Sequence, residues 1–308
     1  MSSELTMVTE GLQFPEGPVA MPNGDVIVCE LKSGNLTRVK PDGTKELVAH
    51  LGGSPNGAAL GPDGKMYVCN SGGWRWTEVA GMTLPGEHGI TAGEDYIGGR
   101  IQRVDLETGA FEDLYTESDG VPLKAPNDLV FDSAGGFWFT DHGHIYERHR
   151  DRTGIHYGKA DGSEVHEVIF SVDGPNGIGL SPDEKRLYAA ETHTGRVFYW
   201  DVQEPGTVPA APFGNGGQLL AGLPDMQLLD SLAIDGDGWV CVATLVNGGI
   251  TSISPDGATI QHLATGDPLT TNICFGGDDF GTAFITLSAF GRLAKIAWPR
   301  KGLKLPYQ

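Results

Sequence analysis

The sequence lacks several features that would define a class of protein at once. None of its apolar runs approaches the roughly 18 residues that a membrane-spanning helix needs, and its first residues, MSSELTMVTEGL, show no basic start followed by an apolar stretch. Basic residues are scarce, since 21 Lys and Arg stand against 40 Asp and Glu, giving a formal net charge of −19. We therefore expect a cytoplasmic protein that binds neither membranes nor nucleic acid, whose phosphates require a basic surface.

Cysteine is also sparse, and its spacing argues against common metal and redox sites. The four cysteines form no CxxC pair and lie in apolar, strand-like runs: Cys29, Cys69, Cys241 and Cys274. This placement argues against a zinc cluster and predicts buried, reduced thiols. The sequence contains no G-x-S-x-G motif either, which argues against a serine hydrolase.

Glycine, proline and a repeated unit dominate what is present. The 46 Gly and 19 Pro accompany 39% hydrophobic residues, and short β-branched or aromatic runs are separated by turn sequences such as Pro-Asp-Gly. One unit occurs six times, and its copies are marked by the landmark residues Glu16, Asn56, Asn127, Asn176, Asp230 and Asn272. The third strands of four units are predicted at Asn35–Val39, Arg100–Val104, Arg196–Trp200 and Gly249–Ile253.

Units of about 45 residues with four strands each are typical of a propeller. We therefore predict an all-β chain in which residues 1–308 form one six-bladed β-propeller domain with four-stranded antiparallel blades. Two of the gaps between successive landmark residues are longer than a four-stranded unit needs, which predicts loop insertions at about residues 71–99 and 142–157. Both fall between the second and third strands of a unit, so both should overhang the face that carries the landmarks.

The landmark residues are candidates for a binding site because the first strand of every blade lines the central channel. Two carboxylates and four amides would then form a ring at one mouth. Oxygen ligands of this kind suit a hard cation such as Ca²⁺ or Mg²⁺ better than zinc or copper. The alternative is that each Asn simply caps a turn, because Asn before Gly is common in turns.

At these residues the sequence resembles the gluconolactonase and regucalcin family of six-bladed propellers, to which diisopropylfluorophosphatase is more distantly similar. The matching pieces are FPEGP at Phe14, PND at Pro126, PNGIGLSPDEKRLYAAET from Pro175, DSLAID at Asp230 and TNICFGGDDFGTAFIT from Thr271. The resemblance covers essentially the whole chain. One departure is Ser231, where the family usually has Gly.

This resemblance implies a metal-dependent hydrolase that opens a small cyclic ester, a lactone. The implied ligands are Glu16, Asn127, Asn176 and Asp230, and the implied ion is Ca²⁺ first, with Zn²⁺, Mg²⁺ or Mn²⁺ as alternatives. Asn56 and Asn272 would support the ligands or contact the substrate. Phosphotriester or fluorophosphate hydrolysis at the same site and a non-enzymatic calcium-binding propeller are the alternative functions.

Two carboxylates are the catalytic candidates, Asp230 and Glu16. If Asp230 binds the ion through one oxygen, its other oxygen could accept a proton from the attacking water. Direct attack by Asp230 on the substrate is the rival role.

Three further residues are candidates for contact with the substrate. His142 follows Asp141 at the end of a predicted second strand, where it could face the channel or act as an acid or base. Asn70 ends another second strand and either holds a substrate hydroxyl or makes an ordinary hydrogen bond between blades. Trp74 lies in the first insertion beside Trp76, where two tryptophans predict an aromatic lid, or else merely anchor a long loop.

Overall fold

The computed structural model describes residues 4–308, which form six four-stranded antiparallel sheets arranged as a six-bladed propeller. The predicted all-β propeller is therefore confirmed. Blade one contains β2 (Pro15–Ala20), β3 (Val26–Glu30), β4 (Asn35–Val39) and β5 (Lys45–His50). Blade two contains β6 (Pro55–Leu60), β7 (Met66–Asn70), β10 (Arg100–Val104) and β11 (Phe111–Tyr115). Blade three contains β14 (Pro126–Phe131), β15 (Gly136–Asp141), β16 (Thr153–Lys159) and β17 (Val165–Val172).

The second half of the chain repeats this order. Blade four contains β18 (Pro175–Leu180), β19 (Arg186–Glu191), β20 (Arg196–Asp201) and β21 (Gln218–Gly222). Blade five contains β22 (Leu228–Ile234), β23 (Val240–Leu245), β24 (Gly249–Ile253) and β25 (Ile260–Ala264). Blade six contains β26 (Thr270–Gly276), β27 (Thr282–Leu287) and β28 (Arg292–Ala297), and its outer strand is β1 (Thr6–Glu10) from the start of the chain. The pairing of β1 with β28 closes the disc.

Two small hairpins lie outside the blades. One is formed by β8 (Trp76–Val79) and β9 (Met82–Pro85), and the other by β12 (Glu117–Ser118) and β13 (Val121–Pro122). The first belongs to the connection between β7 and β10, which matches the insertion predicted at about 71–99. The second predicted insertion, about 142–157, is shorter in the structure because β16 already begins at Thr153. His156 therefore lies in a strand, buried and stacked on Phe139, rather than in a loop.

The hydrophobic core lies between neighbouring blades. The second strands β3, β7 and β15 are buried along their whole length, whereas the outer strand β5 is mostly exposed. Such continuous apolar strands are expected where a sheet is covered on both faces. Three of the four predicted thiols, Cys29, Cys69 and Cys241, are buried in the second strands β3, β7 and β23, and all four cysteines are free.

The last residues of the chain cross the end of the channel opposite the starts of the first strands. Gln308 Nε2 donates to Ala20 O at 3.3 Å and to Phe275 O at 3.0 Å. Tyr307 packs edge-on against Phe131 with ring centroids 5.6 Å apart. Between this tail and the landmark residues the channel is an apolar cavity of about 100 Å³. Among the described residues, no helix is long and apolar enough to cross a membrane.

Candidate functional site

A β-bulge near the start of each first strand interrupts its pairing with the second strand beside the landmark residue. In β6 the pairing passes from Pro55 to Ala58, so Asn56 and Gly57 have no partner in β7. The same break in register occurs near the start of every other first strand, at Glu16/Val19, Pro126/Leu129, Pro175/Ile178, Leu229/Leu232 and Thr270/Asn272. Bulges re-aim side chains and are frequent beside active sites. The alternative in which each Asn caps a turn is wrong for Asn56, which lies inside a strand.

Glycine after the landmark residue allows neighbouring first strands to approach each other closely. A Cβ on Gly57 would lie 2.5 Å from Asn127 O, and a Cβ on Gly17 would lie 2.2 Å from Asn56 O. A Cβ on Gly177 would lie 2.3 Å from the backbone nitrogen of Leu232. Only glycine fits at these positions, so the repeated glycines permit the ring to close around the channel.

Hydrogen bonds fix some members of the ring and leave others free. Asn272 Nδ2 donates to Glu16 Oε2 at 2.9 Å, which agrees with a supporting role for Asn272. Asn176 Nδ2 donates to Thr192 Oγ1 at 3.2 Å, and the hydroxyl of Ser231, the residue that replaces glycine, donates to Asn176 Oδ1 at 3.4 Å.

Two amide oxygens in the ring lack any partner. Within residues 4–308, Asn56 Oδ1 and Asn127 Oδ1 are buried and accept no hydrogen bond. A buried polar atom without a partner costs free energy, and a cation is one group that would satisfy an orphaned oxygen. The structure thus leaves amide oxygens available beside the carboxylates of Glu16 and Asp230.

Three buried carboxyl groups face one another across the ring. Burial raises the pKa of Glu16 to about 7, although Asn272 and the Gly17 N–H oppose the shift. Burial, with repulsion from Glu16 and Asp128, also raises the pKa of Asp230 well above its ordinary range. Asp128 itself has its pKa raised to about 8 by burial and by Glu16. A bound cation would relieve this repulsion, so the donor set fits a hard divalent ion.

Asp128 was not predicted from the sequence as part of the site. Asp128 directly follows a landmark residue, whereas three other units have glycine at this place: Gly17, Gly57 and Gly177. This departure from the repeat was the sequence signal that could have identified Asp128. Its Oδ1 accepts the N–H of Leu129 at 2.9 Å.

Over the described ranges, no group of three or more His, Cys, Asp or Glu side chains is arranged to hold a metal ion. A metal site here therefore depends on the amide oxygens.

The polar residues that end the second strands position the ring. Asn70 is buried, and its Oδ1 accepts the N–H groups of Ser54 and Gly72 while its Nδ2 donates to Gly52 O and Gln102 Oε1. Both the oxygen and the nitrogen of its amide already have two hydrogen-bond partners within the protein, so Asn70 is not part of the proposed substrate site. Equivalent residues likewise accept backbone N–H groups just before a landmark residue: Glu30 from Gln13, Asp141 from Lys124 and Ala125, and Glu191 from Asp173.

His142 lies above the ring and has one free ring nitrogen. Its Nδ1 donates to Gly143 O at 2.9 Å, which leaves Nε2 as an acceptor. Burial lowers the pKa of His142 to about 4, so the ring is neutral at pH 7. His193, which the sequence did not suggest, packs against it with ring centroids 5.5 Å apart. On the other side lies Trp74, 6.0 Å from His142, with a buried Nε1 that has no partner among the described residues.

The first insertion is anchored above the ring at several points. Trp76 packs at a tilt against Phe14 above blade one, with ring centroids 5.0 Å apart, and Thr83 N donates to Ala289 O at 2.9 Å above blade six. Lys32 of blade one also forms an ion pair with Glu78 of the hairpin. The hairpin β8–β9 is thus an arm laid across blades one and six.

The two insertions are joined to each other above blade three. Thr91 N donates to Ile145 O at 2.9 Å, and Ile145 N donates to Thr91 Oγ1 at 2.8 Å. His144 Nε2 donates to Ser71 O at 3.1 Å, and its Nδ1 accepts from Thr91 Oγ1 at 3.2 Å. His144 is therefore a hydrogen-bonded support of the loops.

Known proteins with related sequences are named as lactonases. A lactonase drp35 of Staphylococcus haemolyticus is 30% identical over 265 residues, which cover 84% of this chain and 71% of that protein. A gluconolactonase of Zymomonas mobilis is 26% identical, covering 94% of this chain and 80% of that protein.

Solved structures with the same fold include two relatives at low identity. A gluconolactonase from Xanthomonas campestris superposes with a TM-score of 0.75 at 20% identity, covering 96% of this chain and 90% of that one. A calcium-binding regucalcin from Agrobacterium tumefaciens also gives 0.75 at 18% identity, covering 99% and 98%. The family described as the SMP-30/Gluconolactonase/LRE-like region matches residues 14–289. With this match over most of its length, the chain belongs to the SMP-30/gluconolactonase/LRE-like family.

Proposed function

We propose that this protein hydrolyses a small lactone and uses one divalent cation, Ca²⁺ first among the candidates, held by Glu16, Asn127, Asn176 and Asp230. The observation that carries the proposal is the unpartnered, buried oxygen of Asn127 beside carboxyl groups whose pKa values are raised by burial. The names of the relatives, lactonase and gluconolactonase, support the choice of substrate class.

Different residues of the chain would have different roles in such a reaction. When bound, the ion would polarise the carbonyl oxygen of the lactone and stabilise the negative charge that develops on it. Asn272 holds Glu16 in place through its amide N–H, and Thr192 accepts the amide N–H of Asn176 and so orients that side chain. His142 and Trp74 lie above the ring, where they would contact the part of the substrate outside it.

Asp230 has two possible chemical roles in this scheme. It either accepts a proton from the attacking water or attacks the carbonyl carbon itself. Direct attack forms an anhydride between Asp230 and the opened substrate, which water then cleaves at one of its two carbonyl carbons. After a single turnover in ¹⁸O-labelled water, label in the Asp230 carboxylate therefore establishes direct attack, because water attack on the lactone puts label only in the product. Mass spectrometry of the peptide that contains Asp230 is the readout.

The proposed function is tested by hydrolysis assays on purified protein. Chelation should abolish the opening of a γ-lactone, and re-addition of Ca²⁺, Mg²⁺, Mn²⁺ or Zn²⁺ should restore it to different extents. Glu16→Gln and Asp230→Asn should each lower kcat/KM by about 100-fold or more, because each removes a charge from the site. Asp42→Asn is the matched control, since Asp42 is exposed in a turn.

Wild-type activity in both variants, or full activity in chelator, would contradict the metal-dependent mechanism. If no lactone is opened but Ca²⁺ still binds, the calcium-binding propeller replaces the enzyme. Turnover of a phosphotriester without turnover of lactones would favour the other hydrolase.

A further inference from the structure

The mouth of the ring is covered unevenly. The arm β8–β9 lies over blades one and six, and the joined insertions lie over blade three. The connections that follow the second strands of blades four and five are short, spanning only residues 192–195 and 246–248. A substrate therefore has its freest path to the ring above blades four and five.

A positively charged group stands beside this path. Arg150, from the second insertion, donates from Nη2 to Asp173 Oδ2 at 2.7 Å, three residues before Asn176 of the ring. Its side chain is 46% exposed. Within residues 4–308, its Nε and Nη1 have no hydrogen-bond partner, so two donor atoms of the guanidinium remain available.

Two imidazole rings stand near the same point. A Cβ on Gly174 would lie 3.1 Å from His193 Nε2 and 3.5 Å from His142 Nε2, so both nitrogens converge on the chain just before Asn176. His193 makes no hydrogen bond with any described residue, which leaves a ring N–H for a ligand. Arg150 pairs with Asp173, the residue next to Gly174, so its guanidinium meets the same stretch of chain as the two imidazole rings. Burial is the main cause of the lowered pKa of His142 and His193.

The charge of the ring makes this basic group significant. The ring holds the carboxyl groups of Glu16, Asp128 and Asp230, and acidic residues outnumber basic ones by 40 to 21 in the whole chain. An anionic substrate would be repelled from the mouth unless a fixed cation attracted its charged group. Arg150 is paired with Asp173 through Nη2, and its remaining guanidinium donors lie at the open side of the site in a protein whose formal net charge is −19.

We propose that Arg150, together with His193, binds a carboxylate of the substrate, so that the preferred substrate is a lactone that carries a carboxylate outside its ring. This inference rests on the proposed lactone hydrolysis and specifies the substrate class of that site. Arginine suits the role because its planar guanidinium matches a carboxylate, and a charge-assisted contact of this kind contributes about 10- to 100-fold to binding.

The test compares two substrates of nearly equal size, γ-butyrolactone-γ-carboxylate and its neutral primary amide. The wild-type protein should prefer the carboxylate by about tenfold or more in kcat/KM. Arg150→Gln should lower kcat/KM for the carboxylate by about 10- to 100-fold and leave the amide within about twofold. Arg150→Lys should lose less activity on the carboxylate than Arg150→Gln does, because lysine keeps the positive charge but lacks the planar guanidinium.

Two controls separate binding of charge from a structural effect. Arg148→Gln removes a neighbouring arginine that is 90% exposed, and it should change neither substrate. Added salt should weaken turnover of the carboxylate alone, because an exposed charge contact is screened. Equal turnover of both substrates by the wild type, or an equal loss on both in Arg150→Gln, would overturn the proposal while leaving lactone hydrolysis intact.

If neither compound is hydrolysed, the proposed function fails and calorimetric binding of the two compounds still decides the inference. Tighter binding of the carboxylate that is lost in Arg150→Gln supports it. Equal binding of both compounds, or no binding of either, overturns it.

Discussion

Replacement of Gly57 by alanine tests whether the close approach of the first strands builds the ring. The added Cβ would lie 2.5 Å from Asn127 O and 2.6 Å from the Cα of Asp128. Ordinary contact begins near 3.4 Å, so β6 and β14 must separate by roughly 0.9 Å. Overpacking of this kind costs about 1–3 kcal/mol, which should lower Tm by about 2–10 °C.

The same displacement should weaken ion binding. Metal–ligand distances tolerate only about ±0.2 Å, so a shift of Asn127 several times larger should reduce Ca²⁺ affinity at least about tenfold. Differential scanning calorimetry measures Tm, and isothermal titration measures the affinity. Gly222→Ala is the matched control, because its Cβ would lie 3.7 Å from Arg196 Cγ in ordinary contact. A Gly57→Ala protein with wild-type Tm and Ca²⁺ affinity would refute the reasoning.

Three further predictions concern supports of the site. Asn272→Leu removes the donor to Glu16 and should weaken Ca²⁺ binding by about 10- to 100-fold in calorimetry; unchanged affinity would contradict that support. Burial raises the pKa of Asp141 to about 6, so its neutral form stabilises the fold at low pH and this contribution is lost as pH rises from about 4 to 6. The unfolding free energy of wild type minus that of Asp141→Asn, measured in urea, should therefore fall over this range, and a constant difference would exclude the shift. Thr91→Val removes the hydroxyl shared with His144 and should cost about 1 kcal/mol and speed proteolysis of the first insertion; unaltered cleavage would show that the loops are held by other contacts.

The architecture could be predicted because every unit repeats the same local pattern. Short apolar runs between turn sequences specify strands, and the third strands predicted at Arg100–Val104 and Gly249–Ile253 coincide with β10 and β24. The closing strand β1 was not predicted. Its five residues carry no repeat landmark, and its partner β28 lies at the other end of the chain.

The landmark residues could be found from the sequence because they recur in every unit, but the structure around them could not be predicted. Neither the bulges beside them nor the contact of Gly57 with the next blade can be read from a single unit of the repeat. For Asn70 the sequence left two roles open, a substrate contact or an ordinary hydrogen bond, and in the structure its side chain accepts the N–H of Ser54, two residues before Asn56. Arg150 and His193 come from different blades, so only the folded chain brings them to one mouth.

A crystal structure of the protein grown with Ca²⁺ tests the central claim most directly. We predict one ion in the ring, with oxygens of Glu16, Asn127, Asn176 and Asp230 at about 2.3–2.6 Å. An ion bound elsewhere, or a ring that stays without an ion while the same protein opens lactones in chelator, would contradict the account.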